Sequence, residues 1–164
     1  MESRLLPRGM GFFHPVCLVS TCFGIGMLPG APGTWASLAT LPLAWFLLQG
    51  WGPLCLAAVG GGVFVVGLWA STIFVRRTRD HDPQSVVVDE VAAQMLVLTA
   101  APLDWAYFLA GFVLFRIADI AKPWPASWAD QRLRSGLGVM LDDLFAAPYA
   151  WGLLYGFVLL LRSP

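Results

Sequence analysis

Long uncharged stretches alternate with short polar ones along this chain. Residues 9–75 contain no Asp, Glu, Lys or Arg, and that length can hold two membrane spans of about 20 residues each. A Gly/Pro-rich loop, LPGAPGT at 28–34, and a tight turn, GWGP at 50–53, divide the stretch. The pattern predicts two apolar helices, segment A at 34–49 and segment B at 53–75, packed as a helical hairpin.

Three more apolar segments follow the polar loop at 76–85. They are segment C at 86–101, segment D at 105–121 and segment E at 142–161. The three valines that open segment C would suit a strand, but the length and lipid-like composition of the segment favour a helix. Segment D should end before Pro123, because proline disfavours a helical residue ahead of it. The predicted fold is all-α, a polytopic membrane bundle of about five hydrophobic helices.

The chain is expected to form one membrane-embedded domain, 1–164. Its parts are an N-terminal segment with the loop (1–33), the hairpin (34–75) and three helices that carry the charged groups (86–161). The positive-inside rule places the arginine-rich loop 76–85 in the cytoplasm. If each segment crosses once, the N-terminus lies inside, the C-terminus lies outside, and Arg162 is the one cation on the outer side.

Composition supports a lipid environment and argues against nucleic acid as a partner. The chain is 58% hydrophobic and 12% charged, about half the charged share of a typical soluble domain, and its mean hydropathy is +0.71. The formal net charge is +0 and the sequence has no basic arm, so no overall field attracts a polyanion. The cysteines Cys17, Cys22 and Cys55 lie in apolar surroundings and are interpreted as small buried hydrophobes.

The charged residues are expected to gather at the cytoplasmic end of the bundle. Arg116, Asp119 and Lys122 recur at every third position, so on a helix they form one stripe about 120° wide. Charges in an apolar helix need partners, and an internal salt-bridge network that fixes helix packing is one interpretation. The adjacent acid pairs Asp89–Glu90 and Asp142–Asp143, at the predicted starts of segments C and E, favour a second interpretation.

In that second interpretation, the acids bind a metal ion. The acids are Asp89, Glu90, Asp119, Asp142 and Asp143. Five carboxylates repel one another, and hard oxygen ligands without Cys or His select Mg²⁺, with Mn²⁺ or Ca²⁺ as alternatives. Arg116 and Lys122 beside the metal would hold a phosphoryl group. The sequence thus predicts metal-assisted phosphoryl transfer or hydrolysis on a lipid phosphate, either by activated water or through an aspartyl phosphate.

Two loops offer further candidate groups. Gly33 and Thr34 precede segment A, and backbone N–H groups at a helix start can bind phosphate; a plain loop with Thr34 as N-cap is the simpler interpretation. His81 and Asp82 can bind metal or relay protons, although a polar loop usually leaves such a pair solvated. Asp130 is interpreted as a surface charge.

Four motifs in register resemble one known family. They are PGTWASL at 32–38, HDPQSVVVDEVAA at 81–93, FRIADIAKPWPA at 115–126 and GLGVMLDDLFAAP at 136–148. Their order and spacing resemble the phosphatidylglycerophosphatase A family, bacterial membrane enzymes of phospholipid synthesis. Ala36, Ala93 and Ala147 stand where the family often has glycine, and these departures remove no charged group.

The resemblance implies a function and a location. It implies Mg²⁺-dependent hydrolysis of phosphatidylglycerophosphate to phosphatidylglycerol and inorganic phosphate, at the cytoplasmic face of the bacterial inner membrane. It also implies an all-α fold. Carried over by motif, the five acids are metal-binding or catalytic, and Arg116 and Lys122 hold the phosphate. Gly33, Thr34, His81 and Asp82 are the remaining candidates for substrate binding.

Three other functions remain as alternatives. A small membrane transporter or ion-binding bundle predicts charges near the bilayer midplane and inverted repeats, whereas this sequence shows no repeat. A CDP-alcohol phosphotransferase would need its acidic motif in one continuous run, and the chain has no such run. An assembly subunit would use the charges as salt bridges alone, so that Asp142→Asn would change stability without a specific catalytic loss.

Overall fold

The computed structural model describes residues 6–78, 80, 82–133 and 135–162, and in this part of the chain all regular secondary structure is helical. It contains six α-helices and one short 3-10 helix, Ile25–Met27. The α-helices are α1 (Pro15–Ser20), α2 (Pro32–Thr78), α3 (Val88–Leu98), α4 (Trp105–Ala121), α5 (Ala126–Arg132) and α6 (Gly136–Arg162). The all-α prediction is confirmed, and the valines before α3 form no strand in the described residues.

The long helix α2 is interrupted at Gly52, where the backbone takes φ 79° and ψ −179°. Glycine adopts this positive φ without the steric cost that a Cβ would bring, and Pro53 then starts the second arm with a favourable φ. Ala36 and Val66 line the same cavity, although a continuous helix would hold them about 45 Å apart. The two arms of α2 therefore fold back on each other at Gly52.

The expectation of about five membrane-crossing helices is not met. By length and composition, α2 and α6 are the two described helices that are long and apolar enough to cross a membrane. The 11 residues of α3 and the 17 residues of α4 reach about 16 Å and about 25 Å, short of a hydrocarbon core about 30 Å thick. Helix α3 is shorter than predicted segment C, because Val86 and Val87 lie before the helix and the chain turns at Thr99.

Two boundaries in the last third of the chain also differ from expectation. The stretch predicted as a polar loop contains the short helix α5. Helix α6 begins at Gly136, so Asp142 lies almost two turns inside the helix and does not mark its start. The apolar run Leu137–Leu141 explains the earlier start, because it buries Val139 and Met140 against α1 and the second arm of α2.

The buried core lies where α3 packs between the arms of α2 and helices α4 and α6. Its largest fully buried side chains include Leu56, Met95, Leu98, Phe108, Phe115 and Leu154. Many other large apolar side chains point outward, and Leu54 and Leu160 are 85% and 76% exposed. Such a continuous apolar exterior suits lipid better than water.

One end of the bundle collects the polar groups. The starts of α2 and α3, the end of α4 and the first turns of α6 all border one cavity there. At the opposite end, Trp45 stacks on Trp105 with ring centroids 4.6 Å apart, and the Trp151 indole donates a 3.0 Å hydrogen bond to Thr99 Oγ1. The fold thus has a charged end and an aromatic end.

Candidate active site

A polar cavity of about 280 Å³ occupies the charged end of the bundle. Five carboxylates of the helices and both candidate phosphate-binding cations border it. The lining residues are Gly30, Ala31, Pro32, Gly33, Asp82, Gln84, Val86, Asp89, Glu90, Arg116, Asp119, Lys122, Asp142 and Asp143. Groups that lie more than 50 positions apart in the sequence therefore share one site.

Two adjacent acid pairs are built in the same way. The backbone N–H of Glu90 donates to Asp89 Oδ1 at 3.0 Å, and the backbone N–H of Asp143 donates to Asp142 Oδ1, also at 3.0 Å. Asp89 and Glu90 lie in the first turn of α3, whose N-cap residue Val87 offers no side-chain cap. The N-terminal end of the helix dipole favours these negative charges.

Asp89, Glu90 and Asp143 converge from α3 and α6. One carboxylate oxygen of each lies within 4.8 Å of the others. Within the described part of the chain, Glu90 Oε2 and Asp143 Oδ2 are buried without a hydrogen-bond partner. Buried polar atoms are normally paired, so these two oxygens fit a cation. A set made only of carboxylates suits a hard ion such as Mg²⁺.

The electrostatics of α3 also favour a cation. Burial raises the pKa of Asp89 well above its ordinary value, and the neighbouring charge of Glu90 adds to the effect. Burial likewise raises the pKa of Glu90, although a hydrogen bond with Asp89 and the attraction of Arg116 act in the opposite direction. A metal ion between these carboxylates would stabilise their ionised forms.

Arg116, on α4, faces the carboxylates with unused donors. Its Nη1 lies 2.8 Å from Asp119 Oδ2 and 3.9 Å from Glu90 Oε1. The 2.8 Å approach is an ion pair without hydrogen-bond alignment, because Nη1 and Nε are both buried with no hydrogen-bond acceptor among the described residues. The guanidinium is thus placed to donate to an anion in the cavity.

Lys122 closes the cavity from the end of α4. It is the C-cap residue and adopts a left-handed backbone with φ 43° and ψ 60°. Its Nζ lies 2.7 Å from Asp142 Oδ2 and 2.5 Å from Asp130 Oδ1. Burial lowers the pKa of Lys122, but the hydrogen bonds to Asp130 and Asp142 outweigh that effect and raise it overall. Lys122 therefore stays charged at neutral pH.

Of the loop residues predicted for the site, some line the cavity and others do not. Gly33 is buried against the acids, and a Cβ there would overlap Glu90 Oε1. Asp82 lies exposed at the cavity wall. Helix α2 starts at Pro32, so Thr34 lies in its first turn and is not the N-cap, and Thr34 does not line the cavity. His81 lies outside the described residues.

The sequence interpretation missed two participants. Asp130 is exposed, as expected of a surface charge, but it also pairs with Lys122 from the unpredicted helix α5. Gln84 lines the cavity beside Asp82, and its place inside the HDPQS motif was the signal for it. Asp119 and Asp142, predicted as metal ligands, are held in ion pairs by Arg116 and Lys122.

Comparison with known proteins shows which proteins this chain is similar to. Proteins named phosphatidylglycerophosphatase A from Haemophilus influenzae and Escherichia coli are each 37% identical to the chain, over 144 and 145 residues. These alignments cover 87% of this chain in both cases and 88% and 83% of the two relatives. A Bacteroides thetaiotaomicron protein, provisionally named a phosphatidylinositol-3-phosphatase, is 35% identical over 147 residues, or 85% of this chain and 90% of the relative.

No solved structure gives a significant match to the chain. The sequence model of one family matches residues 18–158, a range that contains every residue of the cavity. With that match and relatives of this similarity, the chain belongs to the phosphatidylglycerophosphatase A family.

Proposed function

We propose that the protein hydrolyses phosphatidylglycerophosphate to phosphatidylglycerol and inorganic phosphate, with Mg²⁺ as cofactor, in phospholipid synthesis. One observation carries the proposal. Among the described residues, a single cavity places two buried carboxylate oxygens without hydrogen-bond donors (Glu90 Oε2, Asp143 Oδ2) beside two buried guanidinium nitrogens without hydrogen-bond acceptors (Arg116 Nε, Nη1). The oxygens suit a divalent cation and the nitrogens suit a phosphate. A phosphate substrate also agrees with the name of two relatives, phosphatidylglycerophosphatase A.

The acids have two different roles in this proposal. Asp89, Glu90 and Asp143 would hold Mg²⁺, because their oxygens converge within 4.8 Å. When bound there, the ion supplies positive charge that polarises a phosphoryl oxygen. Asp119 and Asp142 orient Arg116 and Lys122 through ion pairs of 2.8 Å and 2.7 Å.

The cations bind the group that is transferred. Arg116 and Lys122 contact non-bridging oxygens of the terminal phosphate and stabilise the charge of the transition state. The bond between phosphorus and the glycerol oxygen breaks, and a water oxygen bonds to phosphorus. The water gives its proton to a cavity carboxylate, and the departing glycerol oxygen takes up a proton. The net reaction consumes one water and releases phosphatidylglycerol and inorganic phosphate.

The charged end of the bundle would lie at the cytoplasmic face of the inner membrane. Arg76 and Arg77 end α2 at that side, and Arg132 ends the short helix α5 next to it. The positive-inside rule then orients the chain with its C-terminus outside. Alkaline phosphatase fused after the C-terminus should be active in cells, because it folds to activity only outside the cytoplasm. A fusion that is expressed normally but inactive would indicate the opposite orientation, with the C-terminus inside.

The assay for the proposed function measures phosphate release by purified protein in detergent micelles. We expect release from phosphatidylglycerophosphate with Mg²⁺, loss of release with a chelator, and recovery when Mg²⁺ is restored. Phosphatidylinositol 3-phosphate serves as the competing substrate, because one relative carries that name. Absence of release from folded, monodisperse protein would refute the enzyme proposal. Faster release from the phosphoinositide would refute phosphatidylglycerophosphate as the preferred substrate. Release that survives chelation would refute the requirement for Mg²⁺.

A further inference from the structure

A second cavity, of about 450 Å³, lies near the polar one and is almost wholly apolar. Its walls are both arms of α2, one face of α3 and the segment 19–25. Thr40 contributes a hydroxyl to the wall, but this hydroxyl already donates a 2.8 Å hydrogen bond to the Ala36 carbonyl. The apolar cavity therefore suits a hydrocarbon and not a polar ligand.

The two cavities lie on different faces of the first turn of α3. Val88 and Val91 line the apolar cavity, while Asp89 and Glu90, which lie between them in the sequence, line the polar one. On α2, Ala36 of the apolar cavity follows Gly33 of the polar cavity by about one turn. The phosphate site and the apolar cavity are thus about one helical turn apart along α2, a separation that is short compared with the length of a lipid.

We propose that the apolar cavity holds an acyl chain of the lipid whose phosphate is hydrolysed. This inference rests on the proposed function and adds the position of the chain. The closeness of the cavity to the phosphate site favours a substrate chain over membrane lipid, since a lipid whose phosphate lies in the polar cavity has its acyl chains within reach of this wall. Burial of methylene groups in the cavity would contribute binding energy that grows with chain length.

Two adjacent glycines give a matched test. Gly62 lines the apolar cavity and Gly61 does not. Both are exposed on the second arm of α2, and a Cβ on either would meet no heavy atom within 4 Å. Gly62→Leu therefore narrows the cavity, while Gly61→Leu adds the same side chain to the same helix outside it. Neither glycine belongs to the polar site.

The readout is a ratio of two substrates in the same micelles. We expect Gly62→Leu to lower kcat/KM for the dipalmitoyl substrate about tenfold relative to a dibutanoyl analogue, the order expected when a hydrophobic pocket loses a methylene-sized contact. The loss should fall on KM. Gly61→Leu should keep the ratio of the unaltered protein. An unchanged ratio in Gly62→Leu would refute the proposal and assign the cavity to membrane lipid, and equal losses on both substrates would also refute it.

A binding measurement separates this inference from the enzyme proposal. A lipid phosphomonoester with a diazirine in its acyl chain should, on irradiation, attach to residues 59–66 of the unaltered protein and less to Gly62→Leu. Attachment at this wall without any phosphate release would support the acyl site while the proposed hydrolysis fails. Release without attachment at this wall would refute the acyl site and leave the hydrolysis standing.

Discussion

Asp143→Asn is expected to lower Mg²⁺-supported phosphate release about 10³-fold in kcat/KM, the loss that several kcal/mol of transition-state stabilisation represents. The same variant should be more stable than the unaltered protein when no metal is present. The asparagine removes a negative charge that is 4% exposed and lies among Asp89 and Glu90, so the repulsion between like charges falls. We expect the Tm to rise by about 2–4 °C, the change that roughly 1 kcal/mol produces in a chain of this size.

The response to Mg²⁺ makes this prediction specific. A ligand that binds the folded state raises its stability, so Mg²⁺ should raise the Tm of the unaltered protein and not that of Asp143→Asn. Asp104→Asn is the matched control. Asp104 is an exposed carboxylate that caps α4 through a 2.8 Å hydrogen bond from Ala106, and asparagine caps helices equally well. If Asp143→Asn keeps activity within threefold of the unaltered protein, Asp143 is not part of the site. If the variant loses activity and stability together, Asp143 has a packing role instead.

Arg116→Lys is expected to lower kcat/KM about 10²- to 10³-fold, the range seen when one donor to a developing oxyanion is removed. Lysine keeps the positive charge but lacks the planar fork that binds two phosphate oxygens together. In the part of the chain that the structure describes, the buried Nε and Nη1 of Arg116 have no hydrogen-bond acceptor, and these are the atoms that the substitution removes. Inhibition by inorganic phosphate should weaken in parallel, because the product uses the same donors.

The alternative for Arg116 is a purely structural salt bridge with Asp119 and Glu90. That alternative predicts a lower Tm with kcat/KM and phosphate inhibition unchanged per folded molecule. Arg132→Lys provides the control, since Arg132 is exposed at the end of α5 and does not line the cavity. If Arg132→Lys and Arg116→Lys lose the same activity, the effect is a general loss of positive charge and the assigned role is wrong.

The fold class was readable from the sequence because uncharged stretches of this length fit helices in lipid. The interruption of α2 was readable at GWGP, where Gly52 supplies the positive φ. The bounds of α4 agree with predicted segment D, 105–121, because Pro123 marks where the helix must end. The length of α3 was less accessible, since the helix ends at Leu98 although the apolar segment continues to Ala101. The helix α5 was hidden because its seven residues carry little apolar periodicity.

The sequence also indicated which acids belong to the site, but it did not separate their roles. Asp142 and Asp143 are neighbours in the chain, and adjacent residues on a helix point about 100° apart. One therefore pairs with Lys122 and the other joins Asp89 and Glu90. That division depends on the rotation of α6 against α3, which is set by packing between helices and leaves no mark in the spacing of the residues.

The order of synthesis gives the polar cavity a further property. The wall around Gly33 leaves the ribosome first, the α3 acids and Arg116 follow, and Asp142 and Asp143 come last with α6. A nascent chain that stops before α6 contains Asp89 and Glu90 without the third carboxylate and Lys122 without Asp142. The polar cavity is thus complete only after α6 has been synthesised and has packed against α3.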